Sequence, residues 1–236
     1  MACKKRIHLL TKEESTYIMK ITPILFSLVI AMSCKNQPQQ STEPTALLEP
    51  VQTQAQNGMQ KAYFASGCFW CVEAVYESVK GVSESISGYS GGIEENPTYK
   101  QVGYGRTTHA EAVEIYYNPK VVSFETLVDV FFGSHNPTTL NRQGPDAGPQ
   151  YRSIAFYQNE AERQIIEDKI TTLNASTYEG QIVTQVLPFQ KFWKGEAYHQ
   201  NFERNNPDNP YIRNVSIPRL KRFQAKFPEL LKEDNH

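Results

Sequence analysis

The chain has 236 residues, of which 39% are hydrophobic and 11% aromatic, a composition typical of a globular domain. Its formal net charge is −1 and no basic run is interleaved with aromatics, which excludes the usual electrostatic signature of a nucleic-acid-binding protein. The cysteines do not form the framework of a disulfide-stapled mini-protein, because two are crowded together and two lie in an N-terminal region of different character. They are Cys3, Cys34, Cys68 and Cys71.

Residues 1–33 are predicted to be a signal region outside the fold. The apolar stretch at 21–33 is too short to span a bilayer but suits the hydrophobic part of a secretory signal. Glu13 and Glu14 are unusual in a signal peptide, so we expect translation to start at Met19.

Small residues lead up to Cys34, in the order Ala31-Met32-Ser33-Cys34. This arrangement resembles a bacterial lipoprotein signal, which implies a lipid on Cys34 and a place in the cell envelope, on its periplasmic or surface side. The alternative is a plain secretory signal in which Cys34 has no role. Residues 34–58 are rich in Gln, Pro, Ser and Thr and are predicted to be a disordered tether. Residues 59–236 then form a single folded domain.

Strand-like and helix-like segments alternate within this domain. We expect strands at 61–66, 86–89, 111–117, 153–157 and 182–187, and helices at 68–80, after Ser123, after Asn159 and at 218–227. This order predicts an α+β fold: a mixed sheet with helices packed on it in a two-layer ferredoxin-like core, with long loops and an irregular C-terminal segment. The long loops at 88–105 and 135–151 are aromatic and not highly charged, so we expect them to be functional.

The chemistry is expected at Gly67-Cys68-Phe69-Trp70-Cys71. Cys68 lies between a predicted strand and a predicted helix, and a helix N-terminus lowers the pKa of a thiol. Cys71 is three residues further on, so both thiols share a helix face and a disulfide between them is sterically plausible. Cys71 could also be a small buried hydrophobic residue. No metal site is predicted, because the histidines lack the paired spacing of structural zinc sites.

Glu111 is the second candidate, because it shares a strand face with Val113, Ile115 and Tyr117. If that face is buried, the pKa of the carboxyl rises and the group can act as a general acid near neutral pH. A strand-end glutamate turned to solvent fits the alternation equally well.

Gly67-Cys68-Phe69-Trp70 followed by Glu73 resembles the signature of the peptide methionine sulfoxide reductase A family. The resemblance extends from about Met59 to Pro210. Further matching motifs follow in the same order: Gly88-Tyr89-Ser90-Gly91-Gly92, Asn96-Pro97-Thr98-Tyr99, His109-Ala110-Glu111, His135-Asn136-Pro137, Arg142-Gln143-Gly144-Pro145-Asp146, Gln150-Tyr151-Arg152-Ser153 and Tyr198-His199-Gln200.

The resemblance implies roles for four catalytic residues. Cys68 attacks the sulfoxide sulfur and becomes a sulfenic acid. Glu111 protonates the sulfoxide oxygen, and Tyr99 and Tyr151 donate hydrogen bonds to it as charge develops there. The implied substrates are oxidised proteins and free methionine sulfoxide, the S epimer in each case, so the implied function is repair.

Substrate-binding residues follow from the same resemblance. Phe69 and Trp70 enclose the methyl group of the substrate, since an aromatic wall suits both a methyl and a soft sulfur. Asp146 and His109 belong to the polar side of the site.

The implied reaction leaves Cys68 as a sulfenic acid, which must then be reduced. Many family members use cysteines near the C-terminus, but no cysteine follows Cys71 here. We therefore predict that Cys71 is the resolving cysteine and that a thioredoxin-like donor reduces the Cys68–Cys71 disulfide. We expect no bound cofactor, and a monomer.

Two other functions stay open. A general thiol-disulfide oxidoreductase would use Cys68 and Cys71 alone and leave Glu111, Tyr99 and Tyr151 without a role. A non-catalytic surface lipoprotein would bind oxidised or Met-rich ligands.

Overall fold

The computed structural model describes residues 48–54 and 57–233. The predicted signal region, the start at Met19 and the lipid on Cys34 lie outside the described residues. No helix in the described part of the chain is long and apolar enough to cross a membrane.

The described residues form eight strands, which in chain order are β1 (Gln60–Ser66), β2 (Val82–Ser90), β3 (Ala110–Tyr117), β4 (Arg142–Gln143), β5 (Asp146–Ala147), β6 (Ser153–Tyr157), β7 (Gln185–Pro188) and β8 (Phe192–Lys194). Six of them form one sheet in the order β7-β6-β1-β3-β2-β8, and β4 pairs with β5 separately. Only the β6–β7 pair of the sheet is parallel, so the sheet is mixed. The predicted α+β class and mixed sheet are confirmed.

The α-helices of the described residues are α1 (Phe69–Glu77), α2 (Tyr99–Gly103), α3 (Phe124–Ser134), α4 (Glu160–Leu173), α5 (Phe202–Asn205) and α6 (Ile217–Lys226). Side-chain caps start two of the predicted helices: Ser123 Oγ accepts from Thr126 N–H, and Asn159 Oδ1 accepts from Glu162 N–H. A π-helical turn, Ile212–Ser216, leads directly into α6.

Strand alternation divides the buried residues between two faces of the sheet. Phe64 and Val113 face the main core, together with side chains of α1, α3 and α6. Tyr63 and Ala112 face a smaller cluster that includes Phe189. Glu111 has the parity of Val113, so it lies on the side of the main core and of α1.

The two long loops contain short elements that the sequence did not predict. Helix α2 lies in the first loop, and Thr98 starts it with a capping box shared with Gln101. The second loop contains β4, β5 and a 3-10 turn at Pro149–Tyr151. Strand β8 and helix α5 were also missed, and the strand predicted from residue 182 begins at Gln185.

Part of the predicted tether is attached to the domain. The Val51 N–H donates to Phe189 O at 2.8 Å, and Gln190 Nε2 donates to Glu49 O at 2.7 Å. Both the N–H and the hydroxyl of Thr53 donate to Gln158 Oε1. Residues 49–53 therefore lie against the edge of the sheet at which β7 is the outer strand.

Candidate active site

A glycine turn joins β1 to α1. Gly67 has φ of +92°, a left-handed value that favours glycine. A Cβ atom on Gly67 would lie 2.6 Å from Gln143 Cβ, closer than packed atoms come. The turn therefore requires glycine, and it places Cys68 beneath the loop that carries β4 and β5.

Cys68 is the N-cap residue of α1. Its backbone is not helical, with φ −53° and ψ 123°, and its carbonyl accepts from the N–H groups of Cys71 and Val72. The first helical N–H, that of Phe69, donates instead to Oε2 of Glu111 at 3.0 Å. The carboxyl of Glu111 thus caps the helix that carries the thiols.

The register of the sheet brings Glu111 to this position. Phe64 of β1 pairs with Val113 of the antiparallel β3 in the last pair of this ladder, so Glu111 lies just beyond it, where β1 leads into the Gly67 turn. On the other side Tyr89 of β2 pairs with Glu111 directly. Neighbours on both sides leave the Glu111 side chain only 1% exposed.

Glu111 is protonated near neutral pH. Burial raises the pKa of its carboxyl to about 8, against the hydrogen bond from Phe69 N–H, and the charges of Asp146 and Cys71 raise it further. The alternation of β3 left open whether this side chain is buried, and the structure shows that it is. Because Oε2 is held by Phe69 N–H, Oε1 is the oxygen that can carry and donate the proton.

The two thiols differ in their surroundings. Burial raises the pKa of Cys68 well above its usual range, and its hydrogen bond with Cys71 and the charge of Glu111 raise it further. Burial therefore opposes the lowering of the Cys68 pKa that was expected from the helix N-terminus. The pKa of Cys71 is lowered to about 6, first by its hydrogen bond with Cys68 and then, against burial, by Arg219, Ser216 and Tyr211.

Aromatic rings form a wall beside Cys68. The ring centroid of Phe69 lies 6.1 Å from those of Trp70 and Tyr99 and 5.0 Å from that of His199. Trp70 stacks on Phe202 with centroids 3.8 Å apart. The predicted pair Phe69 and Trp70 thus belongs to a larger aromatic surface that suits a methyl group and a soft sulfur.

Tyr99 and Tyr151 lie near the reacting groups. Helix α2 starts at Tyr99, whose N–H donates to Glu196 Oε1 at 2.9 Å, and Tyr151 ends the 3-10 turn of the second loop. Burial raises the pKa of both phenols, and the charges of Glu111 and Cys68 raise them further. Both hydroxyls therefore stay protonated and can donate hydrogen bonds.

Asp146 lies on the Cys71 side of the site. Its Oδ2 accepts a hydrogen bond of 2.6 Å from the Tyr211 hydroxyl, which also lies 3.7 Å from Cys71 Sγ. Burial raises the pKa of Asp146, against the effects of Tyr211 and Arg219. Tyr211 therefore connects Asp146 with Cys71, a link that the sequence did not predict.

His109 supports a loop. Its Nδ1 accepts from Gly92 N–H at 3.2 Å, and its Nε2 lies 2.7 Å from Glu94 O. A Cβ atom on Gly92 would lie 2.6 Å from the imidazole ring, so glycine permits this close packing. These contacts hold the loop that follows β2, and the predicted substrate contact of His109 stays a prediction.

His199 is a site residue to which the sequence assigned no role. Its Nδ1 accepts from Trp70 Nε1–H at 3.1 Å, so in the neutral ring Nε2 carries the proton. Burial lowers the pKa of His199, which favours that neutral form. Its Nε2 is buried and has no hydrogen-bond partner in the described part of the chain. The Tyr198-His199-Gln200 motif was the available signal, but nothing in it indicated contact with Trp70.

These features define the class of protein. A buried thiol with a second thiol one helical turn away, a protonated carboxyl and an aromatic wall make a thiol-dependent oxidoreductase site. No group of three or more His, Cys, Asp or Glu side chains that could hold a metal ion lies within the ranges described.

Comparison with known proteins identifies the family. The peptide methionine sulfoxide reductase family model matches residues 60–231. The chain is 48% identical over 173 residues to peptide methionine sulfoxide reductase MsrA of Pasteurella multocida, covering 73% of this chain and 99% of that one. It is 44% identical over 174 residues to MsrA of Saccharolobus solfataricus, covering 74% and 98%.

Solved structures from the same family have a similar fold. Reduced Mxr1 of Saccharomyces cerevisiae superposes with a TM-score of 0.60 at 32% identity, over 70% of this chain and 94% of that one. Methionine sulfoxide reductase A of Corynebacterium diphtheriae gives 0.58 at 32% identity, over 67% and 82%. The chain belongs to the peptide methionine sulfoxide reductase family, and it is an oxidoreductase that reduces methionine sulfoxide in the repair of oxidised proteins.

Proposed function

We propose that this enzyme reduces the S epimer of methionine sulfoxide, protein-bound or free, with Cys68 as nucleophile and Glu111 as general acid. The observation that carries the proposal is the buried Glu111 carboxyl, held by Phe69 N–H directly beside the Cys68 turn and protonated near neutral pH. A protonated carboxyl has no evident use in simple disulfide exchange, but a sulfoxide oxygen must be protonated as it leaves.

The first step transfers oxygen. The Cys68 sulfur attacks the sulfoxide sulfur, and Glu111 gives its proton to the oxygen. The oxygen–sulfur bond of the substrate breaks, an oxygen–sulfur bond to Cys68 forms, and the Cys68 thiol proton replaces the one that Glu111 gave. The methionine sulfur gains two electrons and Cys68 loses two, leaving methionine and a sulfenic acid.

Side chains around this reaction supply binding and charge stabilisation. The hydroxyls of Tyr99 and Tyr151 donate to the oxygen as negative charge develops on it. Phe69 and Trp70 contact the substrate methyl, and Asp146 lies on the polar side. The free Nε2–H of His199, at the aromatic wall, adds a donor for the polar part of the substrate.

Cys71 resolves the sulfenic acid. Its thiolate attacks Cys68 Sγ, a sulfur–sulfur bond forms, and the hydroxyl leaves as water after taking up one proton. A dithiol of the thioredoxin type then reduces the disulfide. This exchange restores the thiols of Cys68 and Cys71 and leaves the donor oxidised to a disulfide. Cys71 is favoured because both thiols of the described residues are free, buried and one helical turn apart.

A single-turnover experiment tests this mechanism. The reduced enzyme is mixed with a peptide carrying the S or the R sulfoxide, without reductant, and the cysteines are identified by mass spectrometry. We expect one methionine per enzyme from the S epimer only, and a Cys68–Cys71 disulfide. In Cys71→Ser the methionine yield should persist while Cys68 stays a trappable sulfenic acid. A wild-type product with Cys71 free and Cys68 oxidised would contradict the resolving role.

The N-terminal region is proposed to anchor the enzyme in the cell envelope through a lipid on Cys34. The small residues before Cys34 and the apolar stretch ahead of them support this. The mass of the mature N-terminus, compared between the full chain and Cys34→Ala, tests it. A mature chain that begins elsewhere, or carries an unmodified Cys34, contradicts the anchor.

A further inference from the structure

Arg219 of α6 is a buried cation with uncharged partners. Its Nε donates to Ser134 O at 2.8 Å, its Nη1 to Ser66 O at 3.0 Å and its Nη2 to Ser66 Oγ at 3.1 Å. The residue is 7% exposed, and no carboxylate of the described residues forms an ion pair with it within 4.0 Å. Carbonyls and a hydroxyl satisfy its hydrogen bonds, and its charge lowers the pKa of the Asp146 carboxyl, which forms no ion pair with it. A buried positive charge without an ion pair is costly.

This charge lies on the Cys71 side of the site. Arg219 Nη1 is 3.6 Å from the position that a Cβ atom on Gly67 would take, one residue before Cys68. Arg219 and Cys71 line the same cavity of about 180 Å³, together with Asp146, Tyr211 and Arg222. Cys68 is not among the residues that line it.

We infer that Arg219 is a positioning residue for the resolving step: its buried guanidinium holds Cys71 as a thiolate directed at Cys68. The inference rests on the proposed resolving role of Cys71. A thiolate is the partner that a buried, otherwise unpaired guanidinium favours, because each charge lowers the cost of burying the other.

The lowered pKa of the Cys71 thiol agrees with this inference. Its pKa is lowered to about 6, first by the hydrogen bond with Cys68 and then by the charge of Arg219, whereas the hydroxyl protons of Ser216 and Tyr211 are donated to Glu203 and Asp146. The other ionisable groups facing the pair are Glu111, Asp146 and, along the cavity, Arg222. Among these groups Arg219 is the cation whose charge lowers the pKa of Cys71, while Asp146, whose carboxyl Arg219 also affects, lies in the same cavity.

The consequence is kinetic. The thiolate is the nucleophile in attack on a sulfenic acid, so the rate of disulfide formation follows the thiolate fraction of Cys71. Oxygen transfer at Cys68 does not need that thiolate. Loss of the Arg219 charge should therefore slow the resolving step and leave the methionine burst in place.

The direct test measures the thiolate of Cys71 in a Cys68→Ser background, where the hydroxyl introduced by the substitution can still donate to Cys71. Iodoacetamide alkylation of Cys71 is followed against pH by peptide mass spectrometry. Arg219→Gln, which keeps a hydrogen-bond donor, should move the midpoint of alkylation up by about one pH unit or more, a roughly tenfold loss of thiolate at pH values well below both midpoints. Arg219→Lys should bring the midpoint most of the way back to that of the unsubstituted Arg219 protein.

The matched control is Arg213→Gln, an exposed cation of the same C-terminal segment that does not line the cavity. An unchanged midpoint in a folded Arg219→Gln protein overturns the inference.

A second variant keeps the inference testable if Arg219→Gln fails to fold. Asn214 is exposed and lines the cavity with Arg219 and Cys71. Asn214→Asp adds a negative charge there and keeps the hydrogen bonds of Arg219, and it should raise the midpoint. Asn214→Ser, which like the aspartate loses the hydrogen bond from Asn214 Nδ2 to Pro210 O, should not. Equal midpoints for the two would overturn the inference. If Cys71→Ser still forms product through many cycles at the wild-type rate, the resolving role fails, but the alkylation result stands separately.

Discussion

The backbone N–H of Phe69 donates to Oε2 of Glu111 across 3.0 Å, from the first turn of α1 to the start of β3. This one contact fixes the general acid relative to the nucleophile, because Phe69 follows Cys68 directly in the chain. It also leaves a single carboxyl oxygen to carry the proton. The helix start, the thiol and the acid thus form one rigid unit.

Removing that acid should separate sulfoxide reduction from thiol exchange. Glu111→Gln keeps the size of the side chain and an oxygen that accepts from Phe69 N–H, but it has no carboxyl proton. We expect the methionine burst to slow by about 10²–10⁴-fold. Reaction of Cys68 and Cys71 with an aromatic disulfide should change little. Glu114→Gln, a carboxyl of the same strand bonded to Lys61 and Tyr63, is the control and should keep the burst rate. An unchanged methionine burst in Glu111→Gln would leave Glu111 without a role and favour a general thiol-disulfide oxidoreductase.

Glu111 should make the folded state less stable as the pH rises. The pKa of its carboxyl is raised from 4.5 to about 8, so between these pH values the folded state binds more protons than the unfolded state. The wild-type free energy of unfolding should therefore fall across this window relative to that of Glu111→Gln, by on the order of a few kcal/mol. Urea unfolding of the reduced proteins at several pH values measures the difference. Parallel curves for the two proteins would show that Glu111 is not protonated in the folded state.

Trp70→Phe should weaken substrate binding through His199. Phenylalanine still stacks on Phe202, but the Nε1–H that donates to His199 Nδ1 is lost. The imidazole is then free to place its proton on Nδ1 and to stop donating from Nε2. We expect kcat/KM for an S-sulfoxide peptide to fall by about 5–30-fold, the equivalent of losing one hydrogen bond of about 1–2 kcal/mol. Trp193→Phe is the control, since Trp193 packs under Lys191 instead. An unchanged kcat/KM would show that His199 does not contribute to substrate binding.

The segment at 49–53 should contribute to stability and not to catalysis. Thr53→Val removes the hydroxyl that Gln158 Oε1 and Tyr63 contact, at a cost of about 1 kcal/mol. For a domain of this size we expect Tm to fall by about 2–4 °C, with the burst rate unchanged. Thr171→Val, whose hydroxyl bonds only within α4, serves for comparison. A Tm equal to that of the wild type would mean that this segment is not attached in solution.

Most of the fold follows from local patterns. The alternation of β3, the caps Ser123 and Asn159 and the position of Gly67 lie within a few residues of the elements they define. The elements that were missed, such as α2 and β8, have five and three residues and depend on packing against distant parts of the chain. Short segments of this kind carry too little periodicity to be read alone.

The sequence by itself determined the family, the two thiols of one helical turn and the candidate acid at Glu111, because these rest on motifs and on strand alternation. The tertiary structure decided their chemical state. Burial is a property of the packed core, and it raises the pKa of Cys68 against the expected effect of the helix N-terminus and raises that of Glu111 to about 8. Contacts between Trp70 and His199, and between Arg219 and Ser66, join residues far apart in the chain. Only the folded chain brings them together, because sheet register and helix packing, rather than sequence spacing, set those distances.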